Sequence, residues 1–101
     1  MAGNDLKALT AEVTGWIGEI HPDRDPMNTA IKLSEETAEL IHALYTGDGS
    51  VAEECADILI LLLDVAYLYD IDLEKSFLRK MAINRGRRWE KVKGALKHAS
   101  A

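Results

Sequence analysis

Two pairs of acidic residues repeat one spacing: Glu36 and Glu39 stand three apart, and so do Glu54 and Asp57. A further glutamate precedes each pair, Glu35 before the first and Glu53 before the second. Side chains three apart on an α-helix share a face, so each pair points one way if its segment is helical. Two such helices side by side would gather four carboxylates. Like charges a few ångströms apart resist ionisation, and a divalent cation removes that penalty. No cysteine or histidine stands at ligand spacing beside these acids, so the donor set is oxygen and suits Mg²⁺, with Mn²⁺ the alternative, over Zn²⁺. Magnesium commonly keeps waters and takes substrate phosphate oxygens as further ligands, which points to phosphate chemistry.

Spacing alone also fits a solvated acidic face. Glutamates near a helix start complement the helix dipole, and Glu53 is explained by capping. The neighbours shift the balance: Leu33, Leu40, Ile41, Ile58 and Leu61 flank the acids at spacings that turn at least one acid of each pair toward the apolar side.

The elements that must position these acids follow from the chain's punctuation. Leu6, Leu9, Val13, Trp16, Ile17 and Ile20 form one apolar stripe, which predicts an amphipathic helix over residues 4–20. Pro22 and Pro26 break the chain after it. Asp25 before Pro26 is a helix start, and a second helix is expected from Pro26 to about Tyr45. The turn residues 46–49 end it. Ser50 with Glu53 makes a capping box, opening a third helix to about Tyr69. The run 58–63 is apolar around most of its circumference, which places that helix at the centre of the domain or of an oligomer interface. Asp72 caps a fourth helix from Leu73 to an end between Asn84 and Lys97, with Gly86 as a weak point. Strand-like alternation is absent. The short loop between helices two and three makes them antiparallel neighbours, so the acid pairs can face one another.

The 101 residues are read as one domain, small enough that self-association would help bury its apolar surface. A formal charge of −5 argues against a nucleic-acid binder. No apolar run approaches the roughly 18 residues needed to span a bilayer, and the start lacks the blocks of a signal peptide, so no membrane partner and a cytoplasmic location are expected. The single cysteine, Cys55, cannot form an internal disulfide and is read as a buried thiol. Trp16, Met27, Phe77 and Met81 are read as packing residues, and His21 as an exposed loop histidine.

Taken together, Glu35-Glu36-x-x-Glu39 followed by Glu54-x-x-Asp57 resembles the paired acidic motif of the MazG-like, all-α nucleoside triphosphate pyrophosphatases. Lys80, Asn84 and Arg87-Arg88-Trp89 resemble that superfamily's third signature, and Asn28 a position near the start of its first metal helix. The likeness runs from about Pro26 to Trp89. It implies a four-helix bundle completed by homo-oligomerisation into a dimer or tetramer, with the active site at or near a subunit interface. It implies Mg²⁺ on Glu36, Glu39, Glu54 and Asp57, and hydrolysis of nucleoside triphosphates between the α- and β-phosphates, as in housecleaning of nucleotide pools. Glu35 would orient or deprotonate the water, or hold a second ion. Lys80, Asn84 and Arg87 fall on one helical stripe that would hold the polyphosphate, with Arg88 and Asn28 as further substrate contacts. Where dCTP-specific relatives carry an aromatic residue one turn after the last metal aspartate, this chain has Leu61.

Rival readings are a phosphoribosyl-ATP pyrophosphatase-like enzyme and a non-catalytic helical oligomerisation module stabilised by a cation. A ferritin-like centre would need Glu-x-x-His on two helices, which the chain lacks.

Overall fold

The structure, a computed structural model, describes residues 5–87, 89–92 and 95–98. Four helices account for most of it: α1 (Leu6–Ile20), α2 (Pro26–Thr46), α3 (Val51–Leu68) and α4 (Leu73–Arg85). Each start is capped by the side chain just before it. Asp5 accepts from the Ala8 amide at 2.8 Å, Asp25 from Met27 at 3.0 Å, Ser50 from Glu53 at 3.2 Å and Asp72 from Lys75 at 3.1 Å. These bonds satisfy amides that have no partner within the helix. Pro26 occupies the first turn of α2, where its missing N–H costs nothing.

The α2 helix stops at Gly47, whose φ of 77° is readily adopted only without a Cβ. The chain reverses there, and α3 packs antiparallel along α2 while α1 packs on another side of α3. Between α3 and α4 the backbone turns through Asp70 at φ 54°, a left-handed conformation that aspartate tolerates better than most residues.

The chain departs from the sequence expectation after α4. That helix ends at Arg85, within the range expected for it and with Gly86 as its cap, and the departure lies in residues 89–92 and 95–98, which are extended where no strand was expected. They make a short antiparallel hairpin, β1 (Trp89–Val92) with β2 (Ala95–His98), in which Trp89 pairs with His98 and Val92 with Ala95. Trp and Val favour the extended backbone, and the glycine has already closed the helix. The Trp89 Nε1–H donates to the Asn84 carbonyl at 2.7 Å and ties the hairpin to the end of α4.

Among the described residues, the buried apolar side chains are Ala43, Leu63 and Ala66 only. Trp16, Met27 and Phe77, expected to pack, are each more than half exposed. Their helices present apolar faces that nothing in the single chain covers. Cys55 is likewise exposed and not buried, because it lies about 100° around α3 from Glu54. No described helix is long and apolar enough to cross a membrane.

The most deeply buried polar contact is an ion pair. Asp64, in the last turns of α3 after its apolar run, is fully buried. Arg24, in the segment leading into α2, meets it with two parallel bonds of 2.7 Å, Nε to Oδ2 and Nη2 to Oδ1. The Arg24 Nη1 also donates to the His21 carbonyl at 3.3 Å. Both side chains are nearly inaccessible to water, at 6% and 1%. The Asp64 hydrogen bonds raise the Arg24 pKa against the opposing effect of burial.

A buried charge left alone costs more than a buried pair removed whole. Arg24→Met is therefore expected to destabilise the fold by about 3–5 kcal/mol, and the double change Arg24→Met with Asp64→Leu to recover most of that loss. Urea unfolding followed by circular dichroism measures both.

Candidate metal centre

The antiparallel α2–α3 pair brings acids from both helices together. Glu36, Glu54 and Asp57 each place a carboxylate oxygen within 4.8 Å of the others. Glu36 is buried, Glu54 is partly buried, and Asp57 is exposed. Glu39, one turn beyond Glu36 on α2, is exposed and is not one of these three, so the four expected acids converge as three, with Glu39 coupled electrostatically to Glu36 and Glu54. Two oxygens, Glu36 Oε2 and Glu54 Oε2, are shielded from solvent and have no hydrogen-bond donor. An orphaned carboxylate oxygen aimed at other carboxylates is costly unless a cation or a proton lies between them.

The electrostatics carry the mark of that crowding. Glu36 is held below the ordinary carboxylate range, first by a hydrogen bond from the Glu39 carboxyl and then by Lys32, against the opposing effect of burial. Glu39 is pushed up, first by that contact with Glu36 and then by the Glu36 charge. Glu54 is pushed up by burial first and by the Glu36 charge second. Ionised Glu36 thus sits between two neighbours that favour a proton. A hard divalent cation fits this donor set, which is all oxygen and has two oxygens without partners.

Other residues expected to matter lie apart from this cluster. Glu35 is exposed and pairs with Lys32 at 3.5 Å. Asn28 is exposed in the first turns of α2, about 12 Å along the helix from Glu36. Lys80 and Asn84 lie on α4, which has no extensive packing against α2 or α3. Arg87 falls beyond the end of α4, so the expected stripe of three along one helix holds for Lys80 and Asn84 alone. The glycine ends the helix before the third member. Arg88 lies outside the described residues. The Asn84 Oδ1 is shielded and has no donor. A cavity of about 720 Å³ opens between α1 and the α3–α4 turn, lined by Thr10, Thr14, Tyr67 and Ile71 among others; Asp70, Asp72 and Glu74 line it, but Glu36, Glu39, Glu54 and Asp57 do not.

Comparison with known proteins decides what kind of site this is. The model of the MazG nucleotide pyrophosphohydrolase domain matches residues 24–88. The chain belongs to the MazG nucleotide pyrophosphohydrolase family. It is 43% identical over 91 residues to a dATP/dGTP diphosphohydrolase of Cyanophage S-2L, covering 89% of this chain and 84% of the relative. It is 41% identical over 80 residues to a dATP/dGTP diphosphohydrolase of Salmonella phage PMBT28, covering 79% of this chain and 26% of that longer protein. In three dimensions it is similar to the Cyanophage S-2L MazG-like pyrophosphohydrolase bound to dGDP and three catalytic Mn²⁺ ions per active site. The TM-score is 0.82 at 39% identity, over 95% of this chain and 98% of that one. The MazG segment begins at Arg24, so it takes in the buried ion pair and all the candidate site residues, and leaves α1 outside.

Sequence reasoning missed two participants. Arg24 stands in a loop between two prolines, and only the isolated charge of Asp64 within an apolar run signalled that a partner must exist. Lys32 contacts Glu36 at 3.3 Å, and the signal for it was its place one turn before the acids of the MazG motif.

Replacing Glu39 by Gln removes one of the crowded charges. Without divalent cation, Glu39→Gln is expected to melt at a higher temperature than the parent near pH 7, because the repulsion it relieves is greatest when the carboxylates are ionised. The rise in melting temperature that Mn²⁺ gives the parent is expected to shrink or vanish in the variant. Thermal unfolding with Mn²⁺ and with EDTA reads both effects.

Proposed function

We propose that this chain hydrolyses purine deoxynucleoside triphosphates, of the dATP and dGTP type, between the α- and β-phosphates to the monophosphate and pyrophosphate. The observation that carries the reading is the convergence of Glu36, Glu54 and Asp57 from two helices within 4.8 Å. Two shielded oxygens of that group, Glu36 Oε2 and Glu54 Oε2, lack any donor.

In this reading Glu36, Glu39, Glu54 and Asp57 hold Mg²⁺ or Mn²⁺. When bound, such ions neutralise phosphate charge and lower the pKa of a coordinated water. Glu35, next to Glu36 but about 100° around the helix, orients the attacking water or holds a further ion. Lys80, Asn84 and Arg87 hold the polyphosphate, with Arg88 and Asn28 as outer contacts. The named relatives favour the purine assignment. So does Leu61, which offers no aromatic ring at the position where dCTP-specific relatives have one. Removal of such nucleotides from a cytoplasmic pool, by a single domain spanning the chain, is the corresponding role.

The proposal includes a second copy of the chain. A compact monomer of this mass exposes about 5,700 Å², whereas this chain exposes 7985 Å². Its radius of gyration is 16.1 Å, against about 13 Å for a compact domain of this length. The excess, roughly 2,000 Å², is on the scale that obligate interfaces bury. The α4 helix, with Phe77 and Leu78 more than half exposed, is the element most in need of a partner. A dimer or tetramer would also offer α4 and its basic residues a carboxylate cluster to serve.

Incubation with canonical and damaged dNTPs plus Mg²⁺, with monophosphate and pyrophosphate quantified, tests the activity. Release of pyrophosphate from dGTP and dATP is expected, with Glu54→Gln slower by about 100-fold or more, the scale of losing one charge-stabilising group. No pyrophosphate from any nucleotide, or unchanged turnover by Glu54→Gln, would count against the reading. Light scattering after size exclusion is expected to give a mass at least twice that of the chain.

A further inference from the structure

Lys32 joins the carboxylate cluster from the N-terminal side. Its Nζ is 3.5 Å from Glu35 Oε2 and 3.3 Å from Glu36 Oε1. Among the described residues it is the cation in ion-pair contact with a candidate metal ligand. Helix stability does not explain the contact, since a lysine N-terminal to its glutamate is the weaker orientation of the pair. The two partners also differ. The Glu35 side chain is 60% exposed, whereas that of Glu36 is 10% exposed, so Lys32 leans from solvent onto a largely buried carboxylate.

A divalent cation taken up by Glu36 would meet the Lys32 ammonium across one carboxylate, and the two positive charges repel. The lysine has somewhere to go: its side chain is 54% exposed and its stem is long and flexible. The one new anion brought to the site by catalysis is the substrate's polyphosphate.

We propose that Lys32 is a phosphate-binding residue, held by Glu35 and Glu36 in the resting chain and released to the substrate's phosphates when cations take the carboxylates. The inference rests on the pyrophosphohydrolase reading above. It assigns Lys32 two successive partners, so the residue neutralises acids before loading and phosphate after it. An ammonium is suited to this exchange, because it binds as a point charge with no fixed fork geometry.

The test compares the parent with Lys32→Gln and Lys32→Arg. Calorimetry gives the affinity for Mn²⁺ alone and, at saturating Mn²⁺, for an α,β-imido analogue of dGTP, and steady-state kinetics gives KM and kcat. Lys32→Gln is expected to bind Mn²⁺ at least as tightly as the parent, yet to bind the analogue about tenfold or more weakly, the scale of one charged hydrogen bond. Its KM should rise with the analogue's Kd, and Lys32→Arg should restore most of the binding. Unchanged analogue binding by Lys32→Gln, with the parent active, overturns this inference alone. A parallel loss of Mn²⁺ affinity also overturns it, since the lysine would then only order the carboxylates. A parent that releases no pyrophosphate from any triphosphate removes the activity on which the inference stands.

Discussion

The structure is organised around holding like charges against their own repulsion. Glu36, Glu54 and Asp57 cannot approach to 4.8 Å unless α2 and α3 are locked in register, because either helix could relieve the strain by sliding or tilting. The pair is fastened at both ends. At one end Gly47 turns the chain tightly between the helices, and Ser50 caps the new start. At the other, Arg24 at the approach to α2 grips Asp64 in α3 through two short parallel bonds. Asp64 lies about 10 Å along α3 from Asp57, so the acids fall between the two fastenings. A bidentate guanidinium suits this role because its planar fork fixes orientation as well as distance.

The apolar residues complete the same picture from the opposite side. Leu63, Ala66 and Ala43 are buried, but they make a small core for four helices. The side chains that could enlarge it, among them Trp16, Phe77 and Leu78, face outward. An isolated chain with so little burial would be marginal, since conformational entropy scales with length while the core does not grow to match. The surface left uncovered is what the proposed assembly would bury, and the central helix, apolar around most of its circumference, adds to it. Leu59 and Leu62 remain more than a third exposed even though α1 and α2 both pack on α3.

Much of this was legible in the sequence because it is written in local chemistry. Caps and breakers act within a few residues, so Asp25-Pro26, Ser50 with Glu53, and Asp72 mark the helix starts that the structure has. The equal spacing of Glu36 with Glu39 and Glu54 with Asp57 placed each pair on a helix face, and the short loop placed the faces opposite one another. What was not legible depends on partners distant in the chain. Arg24 finds Asp64 forty residues away, and no periodicity announces such a pair. The reach of α4 depended on whether Gly86 bends or ends the helix, and propensity alone leaves both open. The outward turn of Trp16, Met27 and Phe77 was hidden because an amphipathic stripe is the same whether it packs within its own chain or on another. Cys55 was misread since the residues beside it in sequence are not those beside it on the helix.

The unequal pKa shifts within the cluster also set the order in which it can accept a cation. Glu36 is held low, so it is ionised first and its stabilising contacts persist down to acid pH, being lost only as pH falls through its depressed range. Glu39 and Glu54 are held high, so what their protonated forms contribute to stability is present at low pH and is lost as pH rises through their raised range. Above that raised range the cluster without a cation therefore loses stability from two acids while keeping it from one. A divalent ion bound to the ionised carboxylates reverses the balance and displaces whatever protons remain, so binding strengthens as pH rises and folding stability becomes linked to the ion. Glu36 is the pivot of this exchange, since it is the one acid of the three that touches a lysine, a neighbour whose pKa is raised and the shielded interior together.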